Sequence, residues 1–153
     1  MSSAASAWFL GTSVRILVSC DDGGDGLSVI ESRAPEGDSP PLHVHVSQDE
    51  LFHVLDGELR LRVGGEERRL GGGEAALAPA GVPHTYRVES PSARWLVTTS
   101  GEGFERFVRT LSRPAEHEGL PRQEPPTPEQ VEHLGRTAAA YGIELVGPPL
   151  DAA

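Results

Sequence analysis

Residues 58–63 alternate without interruption: Leu59, Leu61 and Val63 stand between Glu58, Arg60 and Arg62. A period of two sends the apolar side chains to one face of a strand and the charged ones to the other. Such a segment settles as a half-buried strand of an antiparallel sheet and has no apolar stripe to offer as a helix. Runs of similar length recur at 14–18, 27–33, 42–46, 50–55, 66–70, 74–78, 84–88 and 93–99. Turn residues separate them. Gly and Pro, 18 and 13 of 153 residues, make up about a fifth of the chain, which favours many short strands over long helices. The spacing predicts an all-β antiparallel sandwich or barrel. Asp21-Asp22-Gly23-Gly24-Asp25-Gly26 reads as a turn between two of these strands; it lacks the ligand spacing and closing Glu of a calcium loop.

The pattern changes after Gly101. Phe104, Phe107, Val108 and Leu111 fall at helical spacing, predicting a short amphipathic helix over 103–111. Residues 113–126 hold four prolines and no periodicity, so they read as an extended linker. Thr127-Pro128-Glu129-Gln130 is a capping box with proline at the first helical position. Val131, Leu134, Ala138 and Tyr141 line one face of the helix that follows, and Gly142 is placed to stop it.

Charge and missing residue types exclude several functions. A net charge of −10 argues against a nucleic-acid or anionic-membrane surface. All 13 basic residues are arginine, so no side-chain amine exists for Schiff-base chemistry or a phosphate-loop lysine. The single cysteine, Cys20, rules out an internal disulfide and any multi-cysteine zinc site. No apolar run approaches the roughly 18 residues of a membrane span, and the stretch before Arg15 is short and broken by serines. The expectation is a single cytoplasmic domain.

Three histidines and a glutamate stand apart. His43 and His45, two apart on one strand, send their imidazoles to the same face. Glu50 opens the next strand, and His84 follows the turn Pro79-Ala80-Gly81-Val82-Pro83 on a third. Three imidazoles and a carboxylate can converge on an ion and leave positions open for a substrate. Spacing by itself leaves two readings open, a metal site or a chance set of surface and hydrogen-bonded histidines.

The motifs carry a resemblance. Gly37, His43, His45, Glu50 and Gly57 fill Gly-x5-His-x-His-x4-Glu-x6-Gly, and Gly73, Pro79, Gly81 and His84 fill Gly-x5-Pro-x-Gly-x2-His. Together they resemble the two signature motifs of the cupin superfamily, with the short intermotif segment of microbial single-domain members. The resemblance implies an all-β fold: a small antiparallel jelly-roll β-barrel with short C-terminal helices packed outside. It also implies that His43, His45, Glu50 and His84 are the ligands of one divalent transition metal, Fe, Mn, Ni, Zn, Co or Cu. On this reading residues 1–112 form the barrel with an N-terminal strand and the first C-terminal helix. Residues 113–127 form the linker, and 128–153 a helix and tail packed on the barrel. The second motif usually ends with Asn four residues after its His; here that residue is Val88, and the chain has no asparagine.

Trp8-Phe9-Leu10-Gly11, Gly103-Phe104-Glu105-Arg106-Phe107, Tyr141-Gly142-Ile143-Glu144 and Gly147-Pro148-Pro149 extend the resemblance to actinobacterial single-domain cupins described as quercetin-2,3-dioxygenase-like. That group implies a metal-dependent dioxygenase acting on a flavonol-like, catechol-like or enolic small molecule, with Glu50 as a general base. A non-redox isomerase, lyase or cyclase and a non-catalytic binding module use the same fold and ligands. Strand parity places Phe52, Val54, Tyr86 and Val88 on the pocket wall, Tyr86 as a phenolic donor to substrate, and His53 on the outer face. His117 and His133 read as solvent-facing, and Cys20 as a small buried hydrophobe. The apolar Trp8-Phe9-Leu10 segment, with outward Leu51 and Leu55, predicts a homodimer in which N-terminal strands pack across the subunit boundary.

Overall fold

A computed structural model describes residues 5–153. Ten strands precede the first helix: β1 (Ala7–Phe9), β2 (Thr12–Val18), β3 (Ser28–Pro35), β4 (Leu42–His45), β5 (Glu50–Asp56), β6 (Leu59–Val63), β7 (Glu66–Leu70), β8 (Ala75–Ala78), β9 (His84–Val88) and β10 (Ser92–Thr99). Helix α1 (Gly103–Leu111), the two-residue β11 (Arg113–Pro114), helix α2 (Pro128–Ala140) and β12 (Ile143–Gly147) complete the chain. The strands form two antiparallel sheets, ordered β11-β1-β2-β3-β10-β5-β8 and β12-β4-β9-β6-β7. This is the expected jelly roll in an open form, two facing sheets rather than a closed barrel. No described helix is long and apolar enough to cross a membrane.

The alternation read from the sequence decides what lies between the sheets. Leu59 and Leu61 on β6 are 0% and 1% exposed and meet Phe52, Val54, Trp95 and Val97 from the opposite sheet. Each such buried side chain contributes about 1.5–3 kcal/mol. The alternation is broken at Arg60. Its strand parity points outward, yet it is 8% exposed, because Glu89 takes its Nε–H at 2.7 Å and the Asp151 carbonyl takes a second N–H. The C-terminal tail covers what β6 alone would leave in water.

Two turns set the geometry of the site. Residues 46–49 carry the chain from β4 in one sheet to β5 in the other. Gln48 locks that crossing: its amide donates to the Ser100 carbonyl, and its Oε1 accepts the Phe104 N–H at 3.0 Å. The turn before β9 is held by the Gly81 N–H donating to the His45 carbonyl at 2.8 Å, with Gly81 at φ +78. A side chain rarely adopts that conformation.

The C-terminal elements depart from expectation in two places. The capping box forms, Thr127 accepting from Gln130 N and returning its own N–H to Gln130, and Gly142 follows the helix at φ +77. Leu134, Ala138 and Tyr141 pack inward, but Val131 is 45% exposed. The tail, expected to pack on the barrel, also contributes a strand that the sequence pattern did not mark. Its β12 pairs with β4, Ile143 opposite His45 and Leu145 opposite His43. At the other end of the chain β1 pairs with β2 and β11 of the same chain, and Trp8, 3% exposed, donates to the Gly119 carbonyl at 3.2 Å. The Trp8-Phe9 segment thus packs within its own fold.

Candidate metal centre

His43 and His45 leave β4, Glu50 begins β5, and His84 begins β9 directly opposite His43. One ligand atom from each lies within 4.8 Å of every other. His45, Glu50 and His84 are 1%, 3% and 1% exposed, so the group is sealed from bulk water on three sides. The Nε2 atoms of His84 and His45 converge on one oxygen, Glu50 Oε2, at 2.6 and 2.9 Å.

Backbone carbonyls orient two of the imidazoles from behind. His43 Nδ1 lies 2.8 Å from the Pro41 carbonyl and His84 Nδ1 3.4 Å from that of Val82. With the proton on Nδ1, each ring turns an Nε2 lone pair inward, the arrangement that metal-binding histidines need. His45 behaves differently. It approaches Glu50 Oε2 off the line of a hydrogen bond, and neither of its buried ring nitrogens has a hydrogen-bond partner. A buried imidazole without partners is costly. Three imidazoles and one carboxylate make a donor set that suits a divalent transition metal. The residues present fit such an ion.

Burial and the neighbouring charges act differently on each member of the cluster. Burial, with His84 close by, lowers the His43 imidazole to about 4, so it is neutral at pH 7. Burial pushes the Glu50 carboxyl up, but the His45 and His84 imidazoles outweigh it and hold the group well below the usual carboxylate range. Burial pushes His84 down, and the Glu50 carboxylate more than restores it.

His43, His45 and Glu50 line an apolar cavity with about 80 Å³ of open space. Phe52 and Tyr86 line it as expected. Val54 and Val88 do not: both are fully buried in the layer between the sheets, one step deeper than the cavity wall. Tyr86 also differs in role. Its hydroxyl donates to Asp38 Oδ2 at 3.1 Å, so its proton is committed and the ring is what faces the cavity. Burial, then the Asp38 charge, raises the phenol well above its ordinary value. The remaining wall was not read from the sequence. Phe9 and Leu10 come from the β1–β2 hairpin, Trp95 from β10, and Phe104, Leu134 and Leu145 from the C-terminal elements. The Phe104 ring meets His45 edge-on at 5.4 Å. Parity on β10 puts Trp95 inward beside Val97; no local signal marks the C-terminal residues, which arrive by tertiary packing. His53 sits between Leu96 and Ala75 on the outer face, while His117 and His133 are exposed.

Residues 30–99 match the Cupin domain family. The chain is 32% identical over 123 residues, 80% of its length, to quercetin 2,3-dioxygenase of Bacillus subtilis, and it spans 36% of that protein's length. Among solved structures, TT1209 of Thermus thermophilus is 33% identical with a TM-score of 0.53, over 60% of this chain and 84% of that one. The polyketide cyclase RemF of Streptomyces resistomycificus is 27% identical with a TM-score of 0.53, over 67% and 71%. The two facing sheets, both motifs and these matches lead to one conclusion: the chain belongs to the cupin superfamily.

Proposed function

We propose that the protein is a metal-dependent dioxygenase acting on a catechol-like or enolic small molecule. The observation that carries this reading is the cluster of His43, His45, Glu50 and His84, of which His43, His45 and Glu50 line an apolar, aromatic-walled cavity. Likeness to a quercetin 2,3-dioxygenase supports it. When bound, the metal would supply Lewis acidity toward a substrate oxygen and, for a redox-active ion, electron transfer to dioxygen.

The chain's own residues do the rest. His43, His45 and His84 would hold the ion with Glu50, whose Oε2 is also placed to take the proton from an enolic or catechol hydroxyl. Phe52 and Phe104 flank a flat ring, and the apolar wall excludes water, which strengthens every charge interaction inside. A sugar would find too few fixed hydrogen-bond partners there. Size narrows the class further. Pockets for drug-sized ligands run to about 300–1,000 Å³, so 80 Å³ suits a single ring, and a full flavonol has to displace the wall formed by Phe104, Leu134 and Leu145.

The test is dioxygen uptake and ring absorbance with catechols, small enols and flavonols, using Fe, Mn, Ni, Co and Cu forms of the protein. Uptake coupled to loss of substrate is the expected outcome. Its absence with every metal shifts the reading to a non-redox isomerase, lyase or cyclase, which the similarity to the cyclase RemF favours as the second choice.

A further inference from the structure

Trp95 carries a hydrogen-bond donor with nothing to receive it. It is 1% exposed, lines the cavity, and its Nε1–H has no hydrogen-bond partner. Trp8, the other tryptophan, gives its indole N–H to Gly119. A buried donor without an acceptor is rare in folded proteins and calls for an explanation. The ring has no freedom to seek one, because Tyr86 packs edge-on against it at 5.0 Å while Ser32 and Val54 are its cross-strand neighbours on either side. Ser32 is 7% exposed and lines the same cavity, adding a hydroxyl that can donate or accept. Ile30, Val97 and Phe52, which also line the cavity, are apolar.

We infer that Trp95 Nε1–H, with the hydroxyl of its cross-strand partner Ser32 on the same cavity wall, is a second anchor in this cavity, binding an oxygen acceptor of the substrate apart from the four metal-directed groups. The inference rests on reading the cavity as the substrate site, and it deepens that reading: the ring that enters carries a further carbonyl or hydroxyl oxygen. A wall with one unpaired buried donor rejects an analogue that lacks the acceptor more strongly than an apolar wall rejects an extra methylene. Plain hydrocarbons of the right shape are therefore poor ligands.

The experiment uses the full chain without metal, labelled with nitrogen-15, and two probes of one shape, cyclohexanone and methylenecyclohexane. The two tryptophans give two indole N–H resonances. Cyclohexanone should move the Trp95 resonance downfield, leave that of Trp8 in place, and bind about fivefold more tightly than its hydrocarbon twin. Trp95→Phe should abolish that preference. An unmoved Trp95 resonance, equal affinities, binding of neither probe, or a preference that survives Trp95→Phe would each overturn the anchor. The wild-type titration decides the matter even if the variant does not fold. Neither probe needs the metal, so this outcome is separate from that of the dioxygen assay.

Discussion

The Glu105 carboxylate on α1 accepts the backbone N–H of Cys20 at 2.7 Å, joining the first turn of the helix to the end of β2 across 85 residues of chain. Its second oxygen accepts the Ser19 hydroxyl at 2.8 Å and Arg109 Nε–H at 3.0 Å. Glu105 is fully buried, and the neighbouring Phe104 is the ring that covers His45. One carboxylate thus fixes the helix that forms the cavity wall.

Glu105→Gln should lower stability by about 2 kcal/mol, the scale of hydrogen bonds to a charged group. Burial pushes this carboxyl up, but the Cys20 N–H, the Ser19 hydroxyl and Arg109 outweigh it and leave the group below its ordinary value. A depressed folded-state pKa gives stability that is present above the unfolded value of about 4.3 and is lost as pH falls through the folded one. Urea midpoints of wild type and Glu105→Gln should therefore differ at pH 7 and converge below pH 4. A constant difference across that range would refute the assignment.

His45→Ala should weaken retention of a divalent metal by about 100-fold or more, because three ligands chelate less well than four and His45 has no other partner. His117→Ala, at an exposed position, should leave metal content unchanged. Elemental analysis of untagged protein checks both.

Gly57 stands at φ +82, and a Cβ there would lie 2.7 Å from Ser90 Oγ and 2.8 Å from Ala93 Cα. Gly57→Ala should cost about 3 kcal/mol or more through strain and clash. Gly65, with nothing within 4 Å of a Cβ, should accept Ala within about 0.5 kcal/mol. Denaturant midpoints of the two variants test the contrast.

Removing residues 142–153 should loosen the metal site without touching a ligand. The deletion strips β12 from the edge of β4, whose His43 and His45 face Leu145 and Ile143, and takes away the Asp151 carbonyl that Arg60 holds. Lower metal content and faster amide exchange in β4 than in β5 are the expected results. Equal protection in both strands would show that β12 does not support the site.

Leu51 and Leu77 are direct cross-strand neighbours on the outer face, 37% and 49% exposed, and Val18 lies in the same register row at 38%. A second copy of the chain is the expected cover for this row. Light scattering should give twice the 16.3 kDa chain mass, and Leu77→Glu should return it to one.

Local alternation and turn chemistry determined the element list. The strands at 66–70 and 84–88, the helix at 103–111 and the capping box at Thr127 all follow from patterns shorter than ten residues. The four donors were legible through the resemblance their two motifs carry; a period of two turns His43 and His45 together, and the turn before His84 holds Gly81 at a positive φ. Other features had no local signature. The pairing of β12 with β4, the burial of Arg60 and the Phe104 ring over His45 join segments about 60 to 100 residues apart. The committed proton of Tyr86 depends on Asp38, 48 residues away. Parity told which face Val54 and Val88 occupy, but the depth of the cavity decides which inward residues a ligand can touch. Depth is set by how the two sheets and the C-terminal elements pack together, and no stretch of sequence carries that by itself.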